Sequence, residues 1–220
     1  MEGTMAGTLQ EIIFQAAAKE KRMMHRLFFG VYVLMVAGLV WGTSVIVRET
    51  AQAALAYDLG VWSGRMAVTL LAIVLVPGML GRFGIQIKVT RVITFYRRQL
   101  GILTFLFSVT HGMLVRIAAR AVLGWYQIDR APVYELFGTL ALSLLFFLFV
   151  TSNDASVHRL GIWWKRLHRL VYVIVWFVLF HTVLQRISVW SVLIGMVAVL
   201  EVASLIYAKY TVSQGIALRS

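Results

Sequence analysis

Six apolar segments, each close to the length that crosses a lipid bilayer, constrain this chain more than any other feature. A helix rises about 1.5 Å per residue, so a hydrocarbon core about 30 Å thick needs roughly 20 apolar residues. The candidate spans cover residues 27–47, 63–80, 99–119, 133–151, 167–184 and 189–207. With 60% hydrophobic residues and a mean hydropathy of +0.84, the chain is far more apolar than a soluble domain. The sequence therefore predicts an all-α integral membrane bundle of six transmembrane helices.

The stretch before the first span has a different pattern. Apolar residues recur there at helical spacing beside charged residues: Leu9, Ile12, Ile13, Ala16 and Ala17 beside Glu11, Lys19, Lys21 and Arg22. This pattern predicts an amphipathic helix at the membrane interface. We therefore divide the chain into an interfacial segment (1–26), a transmembrane domain (27–208) and a short cytoplasmic tail (209–220). A cleaved signal peptide is disfavoured because the first apolar run is too long and lacks a small-residue cleavage motif.

Charge orients the bundle. Placing both termini on one side collects 15 of the 21 Lys and Arg residues there, and positive charge marks the cytoplasmic side of membrane proteins. The net charge of +12 is thus explained by topology and by anionic membrane lipid, and no nucleic acid is expected as a partner. The chain has no cysteine, which excludes disulfides, thiolate-ligated haem and cysteine-ligated iron–sulfur clusters.

Three histidines in or beside the spans are the candidate metal ligands. Intramembrane imidazole is costly and is a common axial ligand of haem. Spans three and five run in the same direction, so His111 and His181 lie at comparable depth in the outer half and are expected to clamp one haem iron. His168 precedes His181 by 13 residues, a rise of about 20 Å, which places it near a second, inner cofactor. The two histidines of span five differ by about 140° in azimuth, so span five must be distorted, or His168 must lie at its start.

The inner site has one histidine and a nearby arginine. Arg97 lies 14 residues before His111 and within about 40° of the same helix face, so it is expected to point toward the cofactor at His168. Its guanidinium would neutralise a haem propionate or a flavin phosphate. Gly101 and Gly112 would let a flat macrocycle approach the backbone of span three, although packing between helices through small residues is an equal alternative.

Three stretches carry a family resemblance: SGRMAVTLLAIVLVPG (63–78), RRQLGILTFLFSVTHG (97–112) and FVTSNDASVHRLGIWWKRLHRLVYVIVWFVLFH (149–181). They resemble the ferric-reductase-like transmembrane family, and within it the haem-binding subunits of periplasmic methionine sulfoxide reductase systems. The most diagnostic piece is a Trp-Lys-Arg-Leu-His-Arg-Leu-Val-Tyr run followed by a histidine 13 residues after its own.

The resemblance implies a membrane cytochrome b with one or two b-type haems, or with FMN in the inner site. It implies that His111, His168 and His181 are the haem-linked histidines and that Arg97 replaces a fourth histidine. Arg65 matches a family position at the start of span two, where it either meets a propionate of the outer haem or is a simple charged flank of the span, two equal alternatives. Electrons would pass from a cytoplasmic flavin reductase or a quinol to a periplasmic redox protein, such as a molybdopterin methionine sulfoxide reductase. The expected location is a bacterial inner membrane.

Two other classes of function remain open from the sequence. A structural or assembly subunit of a larger membrane redox complex would have the same fold with little electron transfer of its own. A transporter that uses histidines as proton carriers is disfavoured, because Glu201 is almost the only acidic residue within the spans and no inverted repeat is evident. Whether the chain relays electrons or is a structural subunit of a redox complex, we expect in it no catalytic residue that converts a substrate.

Overall fold

A computed structural model describes residues 21–48, 53–123 and 131–214, and this part of the chain is built of α-helices connected by short turns. In chain order the helices are α1 (Lys21–Arg48), α2 (Ala53–Arg82), α3 (Lys88–Phe95), α4 (Arg97–Leu123), α5 (Val133–Val150), α6 (Asp154–Leu160), α7 (Ile162–His168), α8 (Val171–Gln185) and α9 (Val189–Ser213). Six apolar spans follow from them, with α7 and α8 together forming the fifth. The predicted all-α membrane bundle is confirmed, while the predicted interfacial helix over residues 9–17 lies outside the described residues.

Several helices are longer than the apolar spans predicted. α2 begins at Ala53, well before the expected start at residue 63, and α9 continues to Ser213 rather than ending at residue 207. Asp58 interrupts the apolar run that hydropathy detects, yet Ala53, Ala56 and Gly60 around it are buried. Arg65 therefore lies well inside α2 and not at the start of the span.

Two helix pairs organise the bundle. α2 packs mainly against α4, α5 packs mainly against α8, and α9 covers both pairs through α2 and α8. Their shared core includes the fully buried side chains of Leu75, Ile174, Val175 and Ile194. Because lipid is as apolar as these side chains, close packing holds the helices together. α1 is attached to the outside of α4, where the Tyr32 hydroxyl donates to the Gln99 carbonyl oxygen at 3.1 Å.

The short helices α3, α6 and α7 lie at one end of the bundle, which we call the basic end. Asn153 caps α6 by accepting a hydrogen bond from the Ser156 amide at 2.8 Å. Gly161, with a φ of 50°, makes the turn into α7, since only glycine adopts such a φ at little cost. α7 ends at His168 and α8 begins at Val171. The distortion that the histidine azimuths required is thus present directly after His168.

Candidate functional site

At the opposite end of the bundle, the far end, His111 of α4 is held against α2. Its Nδ1 lies 2.8 Å from the carbonyl oxygen of Gly60. A carbonyl oxygen only accepts hydrogen bonds, so Nδ1 carries the proton and donates, and Nε2 keeps its lone pair. A Cβ atom on Gly64 would lie 2.8 Å from the same Nδ1. Glycine at position 64 is therefore what lets the ring lie flat against α2.

His181 of α8 has the same arrangement on α5. Its Nδ1 lies 2.8 Å from the Tyr134 carbonyl oxygen, and a Cβ atom on Gly138 would lie 2.7 Å from Nδ1. In both cases the glycine comes four residues after the residue that supplies the carbonyl oxygen. Two separate helix pairs thus fix their histidines in one way.

The two fixed rings face each other, and together with their carbonyl and glycine supports they form the far-end site. Their centroids are 6.0 Å apart, with an angle of 77° between the ring planes. Metal–imidazole bonds are about 2.0 Å long, so two such bonds on opposite sides of one ion leave roughly 6 Å between ring centroids. Metal-bound histidines commonly donate the second ring N–H to a backbone carbonyl, as both rings do here. The residues present therefore fit a haem with two imidazole ligands.

His168 lies at the basic end and has different partners. Its Nε2 is 3.2 Å from the Thr151 hydroxyl, and its ring stacks on that of Trp164 with centroids 4.1 Å apart and an interplanar angle of 28°. The Trp164 indole in turn donates to the Thr151 carbonyl oxygen at 2.9 Å. These residues and Arg97 form the basic-end site. Here the histidine Nε2 is already hydrogen-bonded, whereas at the far end Nε2 keeps its lone pair.

The adjacent arginines of α4 differ in their partners. Arg98 forms an ion pair with Asp154 at 2.7 Å, whereas Arg97 makes no hydrogen bond or ion pair with any described residue. Both guanidinium groups act electrostatically on His168. Of the two arginines, Arg97 is thus the one whose charge is not offset by an ion pair within the described residues.

Arg65 directly follows Gly64 on α2, near the far-end site. Its guanidinium carbon lies 5.9 Å from the Trp62 ring centroid, and within the described ranges it has no hydrogen-bonded partner. The structure leaves the guanidinium free to bind an anionic group.

The sequence analysis missed the supports of both far-end histidines. The signal for one was present, because Gly60 and Gly64 are spaced by one helical turn in span two, but Gly138 alone gave none. The glycines that were singled out are elsewhere: a Cβ atom on Gly112 would meet Leu142 at an ordinary 3.8 Å, and one on Gly101 would meet nothing within 4 Å.

A buried polar cluster was also missed. The Arg82 guanidinium at the end of α2 donates to Ser204 at 2.9 Å and to the Tyr172 hydroxyl at 3.2 Å, and it forms an ion pair with Glu201. The signal was Glu201 itself, an acidic residue in the middle of an apolar span. Arg82 was counted only as a flanking positive charge.

The chain matches known proteins over most of its length. Residues 63–180 match the family model described as "Ferric reductase like transmembrane component", a range that contains Arg65, Arg97, His111 and His168 and ends just before His181. A haem-binding subunit MsrQ of protein-methionine-sulfoxide reductase from Rhizobium meliloti is 32% identical over 164 residues, 71% of each chain. The subunit of the same name from Agrobacterium fabrum is 36% identical over 97 residues, which cover 43% of this chain and 45% of the relative.

Proposed function

This chain belongs to the ferric-reductase-like transmembrane family and is a membrane electron-transfer subunit, and from that premise we propose that it relays single electrons through a b-type haem held between His111 and His181. The observation that carries the proposal is the pair of imidazole rings at 6.0 Å, each with Nδ1 on a carbonyl oxygen. Electrons would enter at the basic end, which faces the cytoplasm, and leave at the far end.

In this function the protein holds the haem and excludes other ligands from its iron. Bound haem supplies reversible one-electron chemistry at its iron. His111 and His181 would hold the haem iron from two helix pairs and would keep oxygen and substrates from it. The carbonyl oxygens of Gly60 and Tyr134 fix the tautomer of each ring. They also make the Nε2 atom a stronger electron-pair donor to a metal. Arg65 would pair with a propionate at this site.

The basic-end site would receive the electron first. Arg97 supplies a positive charge for a haem propionate or a flavin phosphate, and His168 with Trp164 supplies a flat aromatic wall. To ligate a second haem, His168 would have to give up its hydrogen bond to Thr151. FMN is therefore the alternative cofactor for this site. The donor would be a cytoplasmic flavin reductase or a quinol.

The relatives are haem-binding subunits of a protein-methionine-sulfoxide reductase, and this supports a proposal for the acceptor. For this chain we assign the same role, with a periplasmic methionine sulfoxide reductase of the molybdopterin class as the electron acceptor. No group in the chain itself is assigned to the reduction of the sulfoxide.

The test is a dithionite-reduced minus oxidised absorbance spectrum of the purified full-length protein, with a pyridine haemochrome assay for haem per chain. We expect a low-spin b-type spectrum, with one haem at the far-end site or two if His168 also ligates. In proteoliposomes, an external acceptor should then receive electrons faster than it does in liposomes that lack the protein. Folded protein without haem would refute the proposal and favour the assembly-subunit alternative.

A further inference from the structure

The buried polar cluster of Arg82, Tyr172, Glu201 and Ser204 has no part in the function proposed so far. It joins the end of α2 to α8 and α9 in the basic half of the bundle. The Arg82 guanidinium uses all three of its nitrogen atoms, with Nε on Ser204, one terminal nitrogen on Tyr172 and the other on Glu201. The cluster therefore gathers a charged pair where the surrounding side chains are apolar.

One oxygen of this cluster lacks a partner. The Glu201 side chain is only 4% exposed; Oε1 receives Arg82, while Oε2 is buried with no hydrogen-bond partner in the described part of the chain. A buried carboxylate oxygen without a partner is costly in a low-dielectric environment. A bound proton lowers that cost, because it neutralises the carboxylate.

Arg97 connects this carboxyl group to the basic-end site. Tyr172, which accepts a hydrogen bond from Arg82, lies four residues after His168, and Arg97 is an electrostatic neighbour that Glu201 and His168 share. The charged and titratable groups that face Glu201 are Arg82 from α2, Arg97 from α4 and Tyr172 from α8. Glu201 is thus placed to sense a change of charge at the basic-end site.

We propose that Glu201 is a proton site linked to reduction, which binds one proton at Oε2 when an electron enters the basic-end site and releases it when the electron leaves. This inference rests on the proposed electron relay. The reductant is the cytoplasmic donor, whose electron lowers the cofactor's charge by one unit. The proton comes from water at the basic end, forms an O–H bond on Oε2, and returns to water when the cofactor is reoxidised.

The charge balance gives the physical reason. In the oxidised state Arg82 is balanced by Glu201, and Arg97 by the anionic group of the cofactor, so an added electron would be an uncompensated charge in the membrane. Protonation of Glu201 frees the positive charge of Arg82 to offset that electron. The Arg82 side chain is 19% exposed, so the described helices do not fully enclose the pair.

The experiment is a redox-induced infrared difference spectrum of the purified, cofactor-loaded full chain. Reduction of the unmodified protein with dithionite should produce a carboxylic acid C=O band that Glu201→Gln lacks. Asp154→Asn makes the same chemical change at the basic end outside the cluster and should keep the band. In parallel, the midpoint potential of the basic-end cofactor should depend on pH with a slope of up to about 59 mV per tenfold change in proton activity, and Glu201→Gln should reduce that slope.

The outcomes separate this inference from the proposed function. A cofactor-loaded, unmodified protein that shows no carboxylic acid band on reduction overturns the inference alone. A band that persists in Glu201→Gln also overturns it, because the proton then binds elsewhere. Folded protein that takes up no haem or flavin overturns the proposed function, and this inference with it.

Discussion

His111 and His181 show how strongly a side chain can be positioned without any side-chain partner. Each ring is fixed by its own helix, by the Nδ1 hydrogen bond to a carbonyl oxygen on the neighbouring helix, and by contact with a glycine one turn further on. Both carbonyl oxygens belong to helices, so the positions of the two rings depend on how the helices pack. As a result, the distance between the two rings is set by how α2–α4 and α5–α8 pack.

We predict that His111→Ala and His181→Ala each abolish the far-end haem. Either change removes one axial nitrogen, and even the loss of a group that merely supports a ligand costs about 10–100-fold in metal affinity. Pyridine haemochrome analysis should therefore show haem content at that site reduced by more than about tenfold. His158→Ala changes an exposed histidine of α6 and should retain full haem content. Full haem content in either His111→Ala or His181→Ala would contradict the ligand assignment.

The supporting glycines give a second prediction. Gly64→Ala and Gly138→Ala place a methyl group 2.8 Å and 2.7 Å from an Nδ1 atom, so the ring must turn and lose its carbonyl hydrogen bond. Haem affinity should fall by about 10–100-fold, and the low-spin electron paramagnetic resonance signal of any retained haem should shift. Alanine by itself favours a helix by up to about 1 kcal/mol over glycine.

Gly81→Ala is the matched control for the glycine prediction. Gly81 lies on the same helix as Gly64, but a Cβ atom on Gly81 meets nothing within 4 Å. It should leave both the haem content and the resonance signal unchanged. If Gly64→Ala behaves like Gly81→Ala, the glycine does not limit the position of His111.

At the scale of elements, the break between α7 and α8 determines what the basic-end site can hold. A continuous helix would point His168 and His181 about 140° apart, but α7 ends at His168 and packs its Trp164 against the end of α5. The N-terminus of α4 meets this turn with two adjacent arginines, and Asp154 at the start of α6 forms an ion pair with Arg98. The guanidinium group of Arg97 therefore remains available to a cofactor at the basic-end site.

Adjacent arginines with different partners make a matched pair of variants. Arg97→Ala should lower the midpoint potential of the basic-end cofactor, because a nearby positive charge favours the reduced form. A unit charge about 10 Å away contributes about 1.7 kcal/mol at an effective dielectric constant of about 20, which corresponds to about 70 mV for one electron. The far-end haem spectrum should not change. Arg98→Ala should shift the potential less, since Asp154 already offsets that charge; equal shifts in a redox titration would contradict the distinction.

The sequence predicted the elements better than their junctions, for physical reasons. Apolar length alone identifies a membrane span, so all six were found among the described residues, whereas the expected role of Arg97 at the inner site remains a prediction. The break after His168 was predicted only as a condition, because His-Arg-Leu-Val contains no helix breaker. It depends on the packing of Trp164 and Thr151, which are contacts between helices. The Gly60–His111 and Arg82–Glu201 contacts likewise depend on helix rotation, which apolar spans in lipid do not specify.

At the scale of the whole molecule, the two candidate sites lie at opposite ends of one bundle. The far-end site is formed by α2, α4, α5 and α8 near where α5 begins, and the basic-end site lies where α4 begins and α5 ends. An electron that visits both sites therefore moves along the bundle axis. The Glu201 cluster lies on the basic side of this path, where a proton could enter from the same compartment as the electron.

The direction of electron transfer depends on which end faces the cytoplasm, and the absence of cysteine from the chain makes this simple to test. The described connectors of the basic end carry Lys88, Arg91, Arg159, Lys165 and Arg166, so the positive-inside tendency predicts that this end faces the cytoplasm. Ile187→Cys introduces a thiol at the far end, where the residue is 79% exposed, and Gln214→Cys introduces one just after α9. In spheroplasts, a membrane-impermeant maleimide should label Ile187→Cys directly and Gln214→Cys only after permeabilisation. The reverse pattern would invert the topology and reverse the path from donor to acceptor.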